Sequence, residues 1–280
     1  MNTQKYEGPV TVGIELITPE IAQAALRFNE SNRPLSRKRV ELYKRDMNAG
    51  NWQLNGETIS FYDSGELKDG QHRLAAIAES GKPQWVVVVR NIPGNVVIAD
   101  RGKTRNVGNI LDMAGYPAPV RQTNVVGAIN LLNQCCTGRN MLTDAEVTDF
   151  VDKYGQILTK AWQACVVGAE RPVCKKSVVI AALFCALYSN VPEDVLVEFC
   201  RVTNTGFCDT DKKYAAIVLR NYLLQIDTSG SRLAREKSFY TAMQAIEDFA
   251  SGTPRRKAYN PSKKSKYLAA VRQGIFNLEE

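Results

Sequence analysis

The apolar positions of the first fifty residues change from strand-like to helix-like spacing. Residues 9–17 alternate with a period of two, which predicts a half-buried strand. Its apolar side consists of Val10, Val12, Ile14 and Leu16. Thr18 is typical of the N-cap of a helix that extends to Phe28, and Ser36 is typical of the N-cap of a second helix that ends at Gly50. The sequence therefore opens with a strand and two helices.

A hairpin and a third helix are predicted next. Residues 57–62 have the composition of a strand, a Ser-Gly turn follows, and residues 66–68 return along it, so the chain arrives at Asp69-Gly70 from a hairpin. Residues 71–80 then have apolar side chains at helical spacing and end at a glycine. The Asp-Gly pair is thus predicted at the start of a helix.

The character of the chain changes near residue 116. Before it, residues 85–89 form a continuous apolar run that is typical of a fully buried strand, and residues 96–99 predict a short strand. Trp85 is assigned to the core with Trp52 and Trp162. After it, we find helical spacing only, in residues 119–135, 143–154, 156–167, 177–189, 192–201, 210–226, 232–250 and 263–273.

These patterns predict an α+β protein. Residues 1–115 are expected to form a small mixed sheet with helices, residues 116–250 an all-α domain, and residues 251–280 a basic C-terminal segment. The 280 residues contain 36 Lys and Arg against 29 Asp and Glu, a net charge of +7, and the last thirty residues contribute seven basic and two acidic side chains to it. This excess indicates an anionic partner such as DNA.

The seven cysteines include no C-x-x-C pair, which favours free buried thiols in a reducing cytosol over disulfides or zinc. The first residues lack the apolar core of a signal peptide, and the longest apolar run, residues 178–188, is too short to span a bilayer. We therefore expect a soluble cytoplasmic protein without a membrane partner.

The stretch KDGQHRLAA, residues 68–76, contains the only histidine of the chain. Unpaired backbone N–H groups and the dipole at the start of a helix favour an anion, and Gly70 lets the backbone approach it. Arg73 offers a fork of donors to phosphate oxygens, and His72 can donate a hydrogen bond or exchange a proton. A turn between strand and helix with a capping or surface histidine is the competing interpretation.

The segment G-E-L-K-D-G-Q-H-R-L-A-A, residues 65–76, resembles the ParB/sulfiredoxin superfamily, and specifically its DGQHR branch. The resemblance extends over about residues 10–112. It implies that Gly70, Gln71, His72 and Arg73 bind the phosphates of a nucleotide, because members of the superfamily bind CTP or ATP at this segment. Members of this branch resemble components of phage and DNA-modification gene sets, so the resemblance also implies work with DNA in a bacterial host cell.

Two departures from the superfamily limit what the resemblance implies. Sulfiredoxins have a reactive cysteine where this chain has Gln71, so reduction of sulfinic acids is not expected. Chromosome-partitioning proteins have an acid and two arginines where this chain has residues 71–73, so neither CTP specificity nor a sliding clamp carries over. Asp69, the nearest carboxylate, is the candidate Mg²⁺ ligand or general base, and a helix cap is its alternative role.

Three further basic segments are candidate anion sites. The turn at residues 100–105 follows the predicted strand 96–99, so Arg101, Lys103 and Arg105 are a second candidate phosphate group; a solvated basic turn is equally compatible. For DNA, the candidates are Arg37 and Lys44 on the second helix and, in the C-terminal segment, Arg255, Arg256, Lys257, Lys263 and Lys264. A solvent-exposed helix face and a basic linker are the alternatives.

The sequence therefore predicts an NTP-binding protein, with ATP or CTP and Mg²⁺ as cofactors, that acts as a phosphohydrolase or a kinase-like phosphotransferase with or on DNA. His72 and Asp69 are the candidate catalytic residues. A non-catalytic DNA-binding regulator or partition-like factor, which keeps the fold as a scaffold, is the alternative of a different class. DNA and a second copy of the chain are the expected macromolecular partners.

Overall fold

A computed structural model of the chain describes residues 8–29, 32, 34–93, 106–139, 141–226, 231–255, 257, 259 and 265–277. The protein is α+β, and the chain divides into two compact units, Met1–Thr104 and Arg105–Glu280. The sequence placed the division near residue 116. The difference arises because the helix at Val107–Met113 packs with the second unit, in whose core Leu111 is fully buried.

The first unit contains one mixed sheet. Its strands are β1 (Thr11–Ile17), β2 (Thr58–Tyr62), β3 (Leu67–Asp69) and β4 (Gln84–Ile92), in the order β1-β4-β2-β3. The β2–β4 pair is parallel, and the β1–β4 and β2–β3 pairs are antiparallel. The helices are α1 (Pro19–Leu26), α2 (Arg37–Ala49) and α3 (Gln71–Ser80). The predicted strand at residues 96–99 lies outside the described residues.

The helices of this unit begin and end where the sequence predicts, within two residues. Thr18 caps α1 by accepting a hydrogen bond from the Ile21 N–H at 3.3 Å, and Gly50 ends α2 in the left-handed conformation. Helix α3 packs against both α1 and α2. The three helices share one core with the sheet, formed by side chains such as Met47, Ile59, Leu74, Ile77, Val86 and Val88.

One face of β1 and β4 is apolar and exposed, which contradicts the predicted burial of both strands. Val12, Ile14 and Trp85 are 68%, 59% and 56% exposed. The register pairs Leu16 with Trp85, so these side chains share a face, whereas Val86 and its alternate neighbours point to the helix-covered face. The predictions of a buried apolar side of β1, of a fully buried β4 and of a core Trp85 were therefore wrong.

The described residues of the second unit form helices without strands, as predicted. They are α4 (Val107–Met113), α5 (Thr123–Thr137), α6 (Asp144–Cys165), α7 (Ser177–Tyr188), α8 (Glu193–Thr205), α9 (Tyr214–Gln225), α10 (Arg232–Ala250) and α11 (Lys266–Phe276), with short 3-10 turns at Val173–Lys175 and Asp211–Lys213. Helix α7 is the centre of the unit, because residues 178–186 are all buried and α5, α6, α10 and α11 pack around it.

Helix α6 is continuous where the sequence predicts two helices. It begins at a capping box between Thr143 and Glu146 and runs through Gly155 without a break. Apolar side chains on both sides of the glycine, among them Phe150 and Leu158, enter the same core. Burial of this continuous face therefore outweighs the weak helix propensity of the single glycine.

Two further findings concern the state of the cysteines and the length of the apolar helices. Within the described residues all seven cysteines are free, and five of them are buried. None of the helices described here is both long and apolar enough to cross a membrane.

Candidate functional site

Gly70 joins the hairpin to α3 and is required by packing as well as by backbone conformation. Its φ of 107° belongs to a region that side chains with a Cβ rarely adopt. A Cβ on Gly70 would lie 2.9 Å from Cγ1 of Ile59 on β2. The glycine therefore lets the start of α3 lie directly on the sheet, a role that the sequence did not indicate.

Gln71 is buried and ties α3 to the chain that follows α1. Its Oε1 accepts a hydrogen bond from Nδ2 of Asn29 at 3.0 Å. Asn32 extends the same link, because its Nδ2 donates to the Leu67 carbonyl oxygen at 2.6 Å and to Oδ1 of Asn29 at 2.8 Å. Gln71 thus fixes a loop beside the motif.

His72 is buried at the first turn of α3 and supports the start of α2. The Ser36 N–H donates to Nε2 of His72 at 2.9 Å, so this nitrogen carries no proton while the bond exists. The imidazole is then neutral, with its proton on Nδ1. A proton transfer through Nε2 requires this bond to break first.

Arg73 is the buried cation of the site. Its side chain is 11% exposed, and its guanidinium donates to the carbonyl oxygen of Thr58. Nη1 lies 3.3 Å from Oε2 of Glu57, and Nη2 lies 3.4 Å from Oδ2 of Asp69. Both carboxylates are exposed, at 67% and 72%, and the buried Nε of Arg73 has no hydrogen-bond partner. The Nε–H of the guanidinium is therefore a buried donor without an acceptor, and the two carboxylate contacts are long.

Asp69 has two roles in this arrangement. Its Oδ1 accepts a hydrogen bond from the Gly70 N–H at 2.7 Å, while Oδ2 lies beside Arg73. Glu57, which sequence reasoning missed, lies on the other side of the guanidinium just before β2. The hairpin places Glu57 close to Asp69, because β2 pairs with β3 and Ser60 lies opposite Asp69. Two exposed carboxylates thus flank one buried cation.

The two carboxylates of the site, Asp69 and Glu57, are compatible with a Mg²⁺ ion whose remaining ligands are phosphate oxygens and water. Mg²⁺ is usually held by one or two carboxylates together with substrate phosphates and water, rather than by a protein cage. Asp69 and Glu57 are the two carboxylates that would hold it. Among the described residues, no group of three His, Cys, Asp or Glu side chains could bind a metal without such a ligand.

The other predicted site residues form two groups, those outside the described residues and those whose contacts the structure shows. Arg101, Lys103 and Arg105 lie outside the described residues, as do Arg256, Lys263 and Lys264. Arg37 forms an ion pair with Glu79 at 2.7 Å, and Lys44 pairs with Glu41 at the same distance.

In the C-terminal segment, Arg255 pairs with Asp248 at 2.6 Å and stacks over the ring of Tyr259. Lys257 is exposed. Arg37, Lys44 and Arg255 thus have carboxylate partners that an anionic ligand would have to displace.

A separate cavity of about 360 Å³ lies in the first unit between α1 and the β2–β3 hairpin. Its walls are mostly apolar, with Ile21, Phe28 and Phe61 among them, and Arg90 and Asp63 are polar residues of its lining. Residues 69–73 do not line it. This cavity was not predictable from the sequence, because its lining comes from positions far apart in the chain.

Comparison with protein-family models, with curated proteins and with solved structures finds no match to this chain.

Proposed function

We propose that the first unit is a nucleotide-binding domain with a ParB/sulfiredoxin-like arrangement and that Gly70–Arg73 bind the phosphates of an NTP. The observation that carries the proposal is the state of Arg73: a side chain only 11% exposed at the start of a helix, whose charged partners are two exposed carboxylates at 3.3 and 3.4 Å. Phosphate is the ligand that best matches a guanidinium fork at a helix N-terminus. The sequence resemblance supports the same ligand.

Exchange of ligands at Arg73 is the step that binding requires. The two carboxylate distances, 3.3 and 3.4 Å, exceed the about 2.7–2.9 Å of a strong charged hydrogen bond. Both carboxylates are largely in water, where such ion pairs contribute about 0–1 kcal/mol. A phosphate can therefore replace them at small cost, and the released Asp69 and Glu57 are then free to hold Mg²⁺.

The proposed activity is phosphohydrolysis or phosphoryl transfer that accompanies work on DNA. In this proposal Arg73 and the start of α3 hold the phosphates, Asp69 binds the metal or accepts a proton, and His72 positions the terminal phosphate. The exposure of Asp69 favours this assignment, because its carboxylate is 72% exposed and Oδ2 can reach a ligand once it leaves Arg73.

The bond between His72 and Ser36 favours a second candidate function. Because Nε2 already accepts a backbone hydrogen bond, His72 is occupied in holding the start of α2. A non-catalytic regulator that binds a nucleotide and DNA requires no proton transfer from this residue. Measured release of phosphate from ATP and CTP separates the two candidates, since the regulator predicts binding without turnover.

Asp69→Asn tests the proposed site with its backbone cap preserved, because the amide oxygen can still accept the Gly70 N–H. Without Mg²⁺ we expect ATP or CTP to bind at least as tightly as to the parent, since a negative charge beside the phosphates is removed. With Mg²⁺ we expect binding about tenfold weaker, since a metal ligand is lost. Isothermal calorimetry with and without Mg²⁺ measures both.

Arg73→Lys and Arg37→Lys form a matched pair for locating the site. Both changes keep the charge and remove a guanidinium that faces carboxylates, but only Arg73 is buried at the motif. We expect nucleotide affinity to fall about tenfold or more in Arg73→Lys and to stay unchanged in Arg37→Lys. If Arg73→Lys binds nucleotide as tightly as the parent, and circular dichroism shows that its fold is retained, the motif is not the phosphate site.

A further inference from the structure

The helical unit contains a polar cavity of about 510 Å³ at the beginnings of α5 and α7. Two cationic side chains, Lys175 and Arg235, line it together with the polar side chains of Thr123, Asn124 and Ser177, and no carboxylate lines it. The two helix starts are close, because a Cβ on Gly127 of α5 would lie 3.3 Å from Cβ of Ser177 on α7. The cavity therefore concentrates positive charge in one place.

The two cations differ from most candidate DNA-binding cations of the sequence. Throughout the described part of the chain, neither Lys175 nor Arg235 has an ion pair, whereas Arg37, Lys44 and Arg255 each pair with a carboxylate. Lys175 is exposed and lies over the ring of Trp162, with its Nζ 5.6 Å from the ring centroid. Arg235 is exposed in the first turn of α10. Their charges are thus available to a ligand.

The backbone adds to this charge. Neither α5 nor α7 has a side-chain cap or an acidic residue in its first turn, in contrast to α6, which has both. The Asn124 side chain donates to the Lys175 carbonyl oxygen at 2.7 Å and so holds the turn before α7 against the start of α5. Two uncapped helix starts, each with a partial positive charge, therefore point towards the same two cations.

We propose that this cavity binds a phosphate group. Lys175 and Arg235 supply the charge, Arg235 supplies a fork that matches two phosphate oxygens, and the first N–H groups of α5 and α7 supply further donors. The phosphate comes either from a free phosphorylated small molecule or from the backbone of a nucleic acid. The proposal is independent of the nucleotide site at Gly70–Arg73, because every residue that carries it belongs to the second unit.

The test compares two double variants of the full-length protein that remove the same charge. Lys175→Gln with Arg235→Gln removes the cations of the cavity. Lys212→Gln with Lys237→Gln removes two exposed cations of the same unit that do not line it. The probes are inorganic pyrophosphate, measured by calorimetry, and a labelled single-stranded DNA of 20 nucleotides, measured by fluorescence anisotropy at several salt concentrations.

We expect the cavity variant to lose at least tenfold in affinity and the control variant to change less than about twofold. A loss with pyrophosphate alone identifies a small phosphorylated ligand. A loss with DNA, together with a salt dependence shallower by about 0.7 for each phosphate contact removed, identifies a nucleic-acid backbone. Arg73→Lys is measured in parallel, so that pyrophosphate bound at the first unit is recognised by its loss in that variant.

Three results would overturn the proposal: no binding of either probe by the parent protein, unchanged affinity in the cavity variant, or equal losses in the two double variants. Equal losses would show that net charge alone attracts the probes. All four cations are exposed, so these substitutions leave the helical core intact, and circular dichroism verifies this for each variant.

Discussion

The packing of Gly70 determines the position of Arg73, three residues later in the chain. Gly70 brings the start of α3 onto Ile59 of β2, and this approach places Arg73 beside the Thr58 carbonyl at the start of that strand. Carboxylates and a carbonyl oxygen surround the buried guanidinium. A change at the glycine therefore affects both stability and the position of the cation.

Gly70→Ala and Gly65→Ala test the packing of the motif. Both glycines have positive φ, but a Cβ meets Ile59 only at Gly70, whereas the space around Gly65 is open. We expect Gly70→Ala to lower the free energy of unfolding of the first unit by about 2–4 kcal/mol and Gly65→Ala by about 1–2 kcal/mol. Urea unfolding measures both by fluorescence in a Trp162→Phe background, where Trp52 and Trp85 of the first unit are the remaining tryptophans, and equal losses would contradict the packing role.

The sequence predicts which residues of the motif lie at the start of a helix, because that depends on local signals. It does not predict their partners Asn29, Ser36 and Glu57, because these contacts depend on which strands pair and how the helices pack. Asn29 is 42 residues from Gln71, and Ser36 is 36 residues from His72. This is why the occupation of His72 by a backbone N–H could not be foreseen.

At the scale of elements, Glu198 connects α8 to the turn before α9. Its carboxylate accepts hydrogen bonds from Arg201 at 2.6 Å and from Lys213 at 2.8 Å. The bond from Arg201, assisted by the one from Lys213, lowers the pKa of Glu198 to about 2. The ionised carboxylate is thus favoured in the folded protein more than in the unfolded chain, and it stabilises the contact between these helices.

Glu198→Gln is expected to lose stability in a pH-dependent manner. Because the folded pKa lies below the unfolded one, the contribution of Glu198 is complete above the unfolded value of about 4.5 and disappears as the pH falls towards about 2. At pH 7 we expect a loss of about 1 kcal/mol, reduced by the partial exposure of the group. Urea unfolding at several pH values measures it.

Glu170→Gln provides the control for this prediction. Glu170 is an exposed carboxylate of the same unit with no ion pair in the residues that the structure describes. Its loss is expected to change the free energy of unfolding by less than about 0.5 kcal/mol at any pH. A pH-independent effect of Glu198→Gln would show that the ion pairs do not contribute.

Element types were predictable because they follow the spacing of apolar residues, but the covered face of the sheet was not. Val12, Ile14 and Leu16 alternate as in any half-buried strand, yet the helices cover the opposite face, to which Ile17 and Val86 point. Spacing shows that a strand has two different faces. Which face is buried is decided by the direction in which the connections leave the sheet.

At the scale of the whole molecule, the cysteines lie in one unit, while the three tryptophans are divided between the two. All seven cysteines belong to the second unit, whereas Trp52 and Trp85 belong to the first. Burial raises the pKa of the Cys135 and Cys136 thiols to about 11 and about 12, and it raises those of the other buried cysteines as well. Thiol reactivity therefore reports on the second unit alone.

We expect one fast-reacting thiol in the native protein at pH 8, that of half-buried Cys208. Five of the others are buried, and Cys136, although half-buried like Cys208, has a pKa raised to about 12 and hence a low thiolate fraction. Titration with a disulfide reagent should show this single thiol, its disappearance in Cys208→Ser, and all seven thiols in denaturant. Any fast-reacting thiol that remains in native Cys208→Ser would contradict the predicted protection.

The sheet order has a consequence for the synthesis of the protein. Among the described strands of the sheet, β1 precedes the others in the chain and pairs only with β4, whose last residue is Ile92. About eighty residues must therefore leave the ribosome before the amino-terminal strand can acquire its backbone partner. Until then Val12, Ile14 and Leu16 lie on an unpaired apolar strand, which is the kind of segment that aggregates before a fold is complete.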